Sequence, residues 1–201
     1  MRHVSERSPG DLSLVIEQID AANTEDPNLI AGQPLALVQG QAASRWLEQL
    51  ASGASSELQL AVRAHHLRRW EIKRADYPEG RKGYLWWRSE NKAHQAASLG
   101  ELMGNNGWSD ASVERAQVLL GRTQLRNDPE TQALEDAACL VFLETQFDDM
   151  STRTEHDHLV SIVTKTLKKM SPHAISLAAS IDLSATAQSI LNEAATSLAS
   201  A

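Results

Sequence analysis

The chain has 201 residues, a formal net charge of −7, 42% hydrophobic and 22% charged residues, the composition of a soluble protein with enough chain for one sizeable core. The acidic balance excludes a general nucleic-acid coat, which needs an excess of Lys and Arg against phosphate. The single cysteine, Cys139, excludes an internal disulfide framework, and the longest apolar run, AACLVFL, is far below the roughly 20 residues that span a bilayer. The opening MRHVSERSPGD lacks the apolar core of a secretion signal, so the expected location is cytoplasmic, away from any membrane.

In chain order, nearly every segment carries a helical signal. Leu12, Val15, Ile16 and Ile19 form one apolar face, closed by the turn cluster NTEDPN. A second helix carries Trp46, Leu47 and Leu50. A serine N-cap opens SSELQLAVRAHHLRRWEIK, predicted helical to about Lys73, and DYPEGRKG is predicted to be a loop. A further helix runs from about Tyr84 to Met103 and stops at GNNG, whose Gly and Asn suit a left-handed cap. Ser109 caps the next helix, and Asp128-Pro129 starts another. Two amphipathic helices follow, at about 155–169 and 184–199, the last read as loosely docked. The fold class is therefore all-α, one compact multi-helix domain.

The helix after Pro129 is apolar all round from Ala137 to Leu143, the mark of a helix enclosed by others. Asp136 lies on its buried face and needs a partner there, an arginine, a helix N-terminus or a metal ion. His65, His66 and His94 sit beside core positions on predicted helices. With Asp136 they form a candidate set of imidazole and carboxylate ligands for one divalent ion, Mn, Fe, Zn or Mg. Glu135, next to Asp136, is the candidate general base, although it points about 100° away around the helix. His3, His156, His158 and His173 read as surface residues.

Residues 68–88 hold seven basic side chains against three acidic ones, and five of the nine aromatics. Arginine forks and aromatic faces can grip a phosphorylated or nucleotide-like anion. Arg69, Arg74, Tyr77, Arg81, Tyr84 and Arg88 are the candidate binding residues, one wall of a pocket for a small anionic ligand.

The motifs IDAANTEDPN, AHHLRRWEIKRADYPEGRKGYLWWR, KAHQAASLGELM and LRNDPETQALEDAACLVFLETQF, followed by KTLKKMS, resemble in that order the family of domain of unknown function 4202. The resemblance runs from about Ile19 to about Ser176. It implies an N-terminal segment at 1–18, an all-helical domain at 19–176 and a C-terminal helix at 177–201. Two stretches depart from the family pattern, VQGQAAS before Trp46 and Lys73 where relatives carry Pro.

More distantly, LAVRAHHL, AHQAASLGELM and ALEDAACL resemble segments of the HD superfamily of metal-dependent phosphohydrolases. That resemblance implies an HD-like helical core and places His65, His66, His94 and Asp136 at metal-ligand positions. Here the aspartate of the His-Asp pair is His66, and no histidine accompanies Trp46, which implies one metal or none. Three functions are expected from these features: a metal-dependent hydrolase of a phosphate ester or nucleotide-like anion; a non-catalytic anion- or nucleotide-binding module that has lost the metal; and an RNA-associated protein using the basic aromatic loop.

Overall fold

The computed structural model describes residues 10–122 and 127–199. His3 and the junction at 123–126 lie outside the described residues. The described chain is all-α apart from one small hairpin: α1 (Leu12–Asn23), β1 (Leu29–Ile30), β2 (Gln33–Pro34), α2 (Leu35–Leu50), α3 (Ser56–Arg63), two 3₁₀ turns (Arg69–Glu71 and Arg74–Asp76), α4 (Gly80–Asn105), α5 (Asp110–Gly121), α6 (Pro129–Thr145), α7 (Phe147–Arg153), α8 (His156–Leu167), α9 (Pro172–Ala178) and α10 (Ala185–Ala199). The strands pair antiparallel, Leu29 with Pro34 and Ile30 with Gln33.

The predicted caps form. Ser109 Oγ accepts from Ser112 N, and Asp128 accepts from Glu130 N with Pro129 in the first turn, each satisfying an N–H that the helix leaves unpaired. Asp26 extends the device from a loop: its Oδ2 accepts from Ala36 N at 2.9 Å, inside the first turn of α2. Helix α6 is the enclosed helix its composition predicts. Leu134, Ala137, Leu140, Val141 and Leu143 are buried, and α2, α3, α5, α7 and α9 pack around it.

One hydrophobic core joins the helices, from Val15 and Ile19 of α1 to Ala187, Ile190, Leu191 and Ala194 of α10. The last helix is therefore seated on α8 and α7 and not loosely docked. Likewise the 18/19 boundary falls inside α1.

Two polar clusters tie the helices. Arg63 of α3 donates through Nε to Asp20 Oδ1 of α1 at 2.6 Å and through Nη1 to Ser44 Oγ of α2 at 3.2 Å. Arg115 of α5 grips Asp128 with both terminal nitrogens, at 2.6 and 3.0 Å, and Glu130 at 2.6 Å. The pairing with Arg115, opposed by burial, holds the Asp128 carboxyl well below the usual carboxylate range.

The main departure from the sequence expectation lies at residues 64–73. Helix α3 ends at Arg63, ten residues before the predicted stop, and the chain continues as turns. Arg68 takes a left-handed φ of 51°, and its N–H is received by Asn23 Oδ1 at 3.4 Å. A bond from α1 thus replaces the helical one that periodicity alone would supply. Gly40 lets α2 press against the end of α3, where a Cβ would lie 2.8 Å from the Arg63 carbonyl oxygen. The predicted loop 76–83 is also shortened, because α4 begins at Gly80. Gly83 makes that start possible; its Cβ would lie 1.8 Å from Pro78 O.

Candidate functional site

Three helices each turn one stripe toward a common cavity of ≈ 430 Å³. From α4 come Tyr84, Arg88, Asn91, Lys92 and Gln95, one face at helical spacing. Helix α6 gives Glu135, Ala138, Cys139 and Phe142, and α8 with the turn beyond it gives Ile162, Lys165, Thr166 and Lys169. Gln39 of α2, the turn holding His65, His66 and Arg69, and Arg122 at the end of α5 complete the wall. The early stop of α3 matters here, because it releases the paired histidines from a helix and lays them into the cavity.

Six cationic side chains, Arg69, Arg88, Lys92, Arg122, Lys165 and Lys169, line this space against one carboxylate, Glu135, in a chain of net charge −7. Several are fixed before any ligand arrives. Arg69 lies over the Trp87 ring at 4.6 Å, and that indole donates to Ile72 O at 2.8 Å. Arg88 lies 5.7 Å from the Tyr84 centroid. Arg122, at φ 54°, donates through Nη1 to Glu135 Oε2 at 2.8 Å. Lys92 donates to Gly121 O at 3.1 Å. Burial, with Arg122 and Arg88 nearby, pushes the Lys92 ammonium down to about 8, as expected for like charges held together in a partly desolvated space.

The histidines are neutral members of this set. His65 is buried, and its Nδ1 lies 3.0 Å from Val62 O. A carbonyl can only accept, so Nδ1 carries the proton and Nε2 presents a lone pair. Burial first, then the Arg122 charge, lowers its pKa to about 3. A longer relay sets the tautomer of His66. Thr145 Oγ1 donates to Val141 O at 2.8 Å, Gln39 Nε2 donates to Thr145 Oγ1 at 3.1 Å, and Gln39 Oε1 therefore accepts from His66 Nδ1. The two rings stack at 4.1 Å. Burial, His65, Arg69 and Arg122 keep the His66 pKa well below its ordinary value.

Of the predicted residues, the structure brings His65, His66, Arg69, Tyr84, Arg88 and Glu135 to this cavity. It takes His94 and Asp136 elsewhere. His94 Nε2 is 2.9 Å from Glu71 Oε2, pinning the 3₁₀ turn that carries Arg69. Asp136 Oδ1 accepts from Ser171 N and Gln132 Nε2, both at 2.9 Å; its partner is the start of α9, one of the three options open in the sequence. The four residues assigned to one metal thus do not share a site. Among the described residues no group of three or more His, Cys, Asp or Glu side chains is placed to hold a metal ion, and the cationic lining does not suit a divalent cation.

Glu135 is not a free base either. Burial, which alone would raise its pKa, is outweighed by Arg122 and Lys169, and the carboxyl is held below its ordinary value. Cys139 is a buried thiol, pushed up to about 12 by burial, and so is not a poised nucleophile.

Arg74 lines a second cavity of ≈ 480 Å³ that shares Gln39, His66, Arg69 and Gln146 with the first, and it donates to Tyr77 O at 3.0 Å. Tyr77 meets Trp86 edge-on at 5.2 Å. Arg81 is exposed on the first turn of α4 and lines neither cavity. His156, His158 and His173 are exposed as predicted.

The sequence reasoning missed Lys92, Arg122, Lys165 and Lys169. Lys92 shares the α4 face of Arg88 at i,i+4, and Lys165 and Lys169 repeat that spacing at α8. Helical spacing could have found each pair, but nothing local brings α4, α5 and α8 together.

Fold and site together define an all-helical protein with a cationic pocket lined by α4, α6 and α8. The model of the family described as domain of unknown function (DUF4202) matches residues 13–191, from within α1 to within α10, and the chain belongs to that family. No curated protein and no solved structure matches it. Among the described residues no helix is long and apolar enough to cross a membrane.

Proposed function

We propose that this protein binds a small phosphate-bearing anion in the pocket between α4, α6 and α8. The carrying observation is the six cationic side chains facing one cavity with a single carboxylate. Like charges gathered in a partly buried space repel, and the pKa of Lys92 is lowered first by burial and then by the neighbouring Arg122 and Arg88 charges. An anion would relieve it and gain charge-assisted hydrogen bonds from Arg and Lys. The cavity volume falls within the range typical of small-molecule sites. The size of the pocket favours a small anion over an RNA strand, which needs a groove extended over several nucleotides.

The test is calorimetric titration of inorganic pyrophosphate into wild type and an Arg88→Gln, Lys165→Gln double variant. Wild type should bind, and the variant should bind about tenfold more weakly or worse, at the usual strength of charge-assisted contacts. No binding by wild type, or an unchanged constant in a folded variant, contradicts the proposal.

A second reading, cleavage of the bound phosphate ester, is favoured by the relay behind His66. It leaves a neutral imidazole with a bare Nε2 in the pocket, the form in which histidine accepts a proton. The lowered pKa makes it a weak base in the free protein, and a bound anion would strengthen it. The residues do not fit a metal site, so no step of this reading passes through a metal. Release of inorganic phosphate from a phosphate monoester by wild type, abolished by His66→Gln, is the expected result. Turnover unaffected by His66→Gln removes this reading.

A further inference from the structure

Residues that line the pocket also carry buried polar atoms that a bare phosphate would leave unmatched. Among the described residues, the buried side-chain atoms without a hydrogen-bond partner include His65 Nε2, Asn91 Oδ1, Gln95 Nε2 and Arg122 Nε, and all four residues line this cavity. Buried polar groups are normally paired, and leaving one unpaired costs about 1–3 kcal/mol. Such a concentration at one cavity therefore points to a ligand that completes it.

The four atoms divide by chemistry. Gln95 Nε2 and Arg122 Nε are donors, suited to phosphate oxygens. The other two are acceptors. His65 Nε2 is one because its Nδ1 proton is committed to Val62 O. Asn91 Oδ1 is the other, because its Nδ2 donates to Trp87 O at 2.9 Å, which fixes the amide orientation. A fully ionised phosphate or pyrophosphate has no hydrogen to give them. A hydroxyl or amino group does.

Building on the anion-binding reading, we infer that the ligand is a phosphate ester bearing hydroxyl or amino donors, of the sugar-phosphate or nucleoside-monophosphate class, whose donors pair with His65 Nε2 and Asn91 Oδ1. The phosphate sits among the arginines and lysines, and the polyol portion meets the buried faces of α4 and the histidine turn. Asn91 and His65 then set specificity by refusing esters that lack donors, since a site that leaves its own acceptors unpaired discriminates strongly.

The experiment compares ribose 5-phosphate with butyl phosphate, of similar charge but without hydroxyls, in wild type and Asn91→Leu. Wild type should bind ribose 5-phosphate about tenfold more tightly or better, and the variant should narrow that gap by weakening only the hydroxylated ligand. Equal affinity of wild type for the two esters overturns this inference while leaving anion binding intact. Binding of neither ester overturns both. If Asn91→Leu does not fold, the wild-type comparison alone decides.

Discussion

His65 is the residue whose energetics most constrain the account. It is buried and neutral, with a folded pKa of about 3 against an ordinary 6.5. Above pH 6.5 neither folded nor unfolded chain protonates it, and its contribution to stability is complete. Below pH 6.5 the unfolded chain takes up a proton that the folded chain refuses until about pH 3, so stability falls with falling pH. The slope from this residue approaches about 1.4 kcal/mol per pH unit, and His66 acts in the same direction. Urea unfolding between pH 7 and 5, before the carboxylates titrate, should show this decline, and His65→Gln should make it shallower, leaving the part due to His66. Lys92 gives the opposite edge. Its pKa of about 8 means that the ammonium begins to lose its proton there in the free protein. Phosphate-ester affinity should therefore fall above pH 8, toward about tenfold per pH unit, since binding must then restore one proton. A titration series at pH 7, 8 and 9 checks it, with Lys92→Met removing the dependence.

At the scale of the elements, helices announced by their own chemistry were legible. Ser109, Asp128-Pro129 and the apolar face of α1 act within a turn or two of where they stand, so sequence carries them. The turn that follows α3 was not legible, because one bond that holds it, from Arg68 N to Asn23 Oδ1, comes from 45 residues away. Leu58, Ala61, Val62 and His65 keep helical spacing past the true end, so periodicity extends the helix beyond the point where the chain turns. Asp136 shows the same limit for a site. Its burial was legible, but its partner, the start of α9, depends on a turn 35 residues on. Asp136→Ala should cost about 2 kcal/mol by leaving Ser171 N unpaired, whereas Asp136→Asn, which keeps an acceptor oxygen, should lose much less. Chemical denaturation of the pair distinguishes a cap from a ligand to metal, for which Asn is a poor substitute.

At the scale of the whole molecule, charge is unevenly distributed. A chain of −7 that gathers six cations at one cavity has separated charge against its own average. The histidine-arginine half of that cavity was legible in AVRAHHLRRWEIKRADYPEGRKGYLWWR. The lysine half was not, because Lys165 and Lys169 reach the cavity that Arg69 lines only through tertiary structure, α8 being seated on α10 and α7. Cations focused by low-dielectric walls attract anions with a strong dependence on ionic strength. The central claim is therefore tested most directly by one salt series: the affinity of ribose 5-phosphate for wild type at 20, 100 and 300 mM salt (about these values, chosen to span a Debye length from above to below about 10 Å), beside Arg69→Gln. The account predicts measurable binding that weakens steeply with salt, and both weaker binding and a shallower salt slope in the variant. Affinity indifferent to salt and to Arg69 would contradict it.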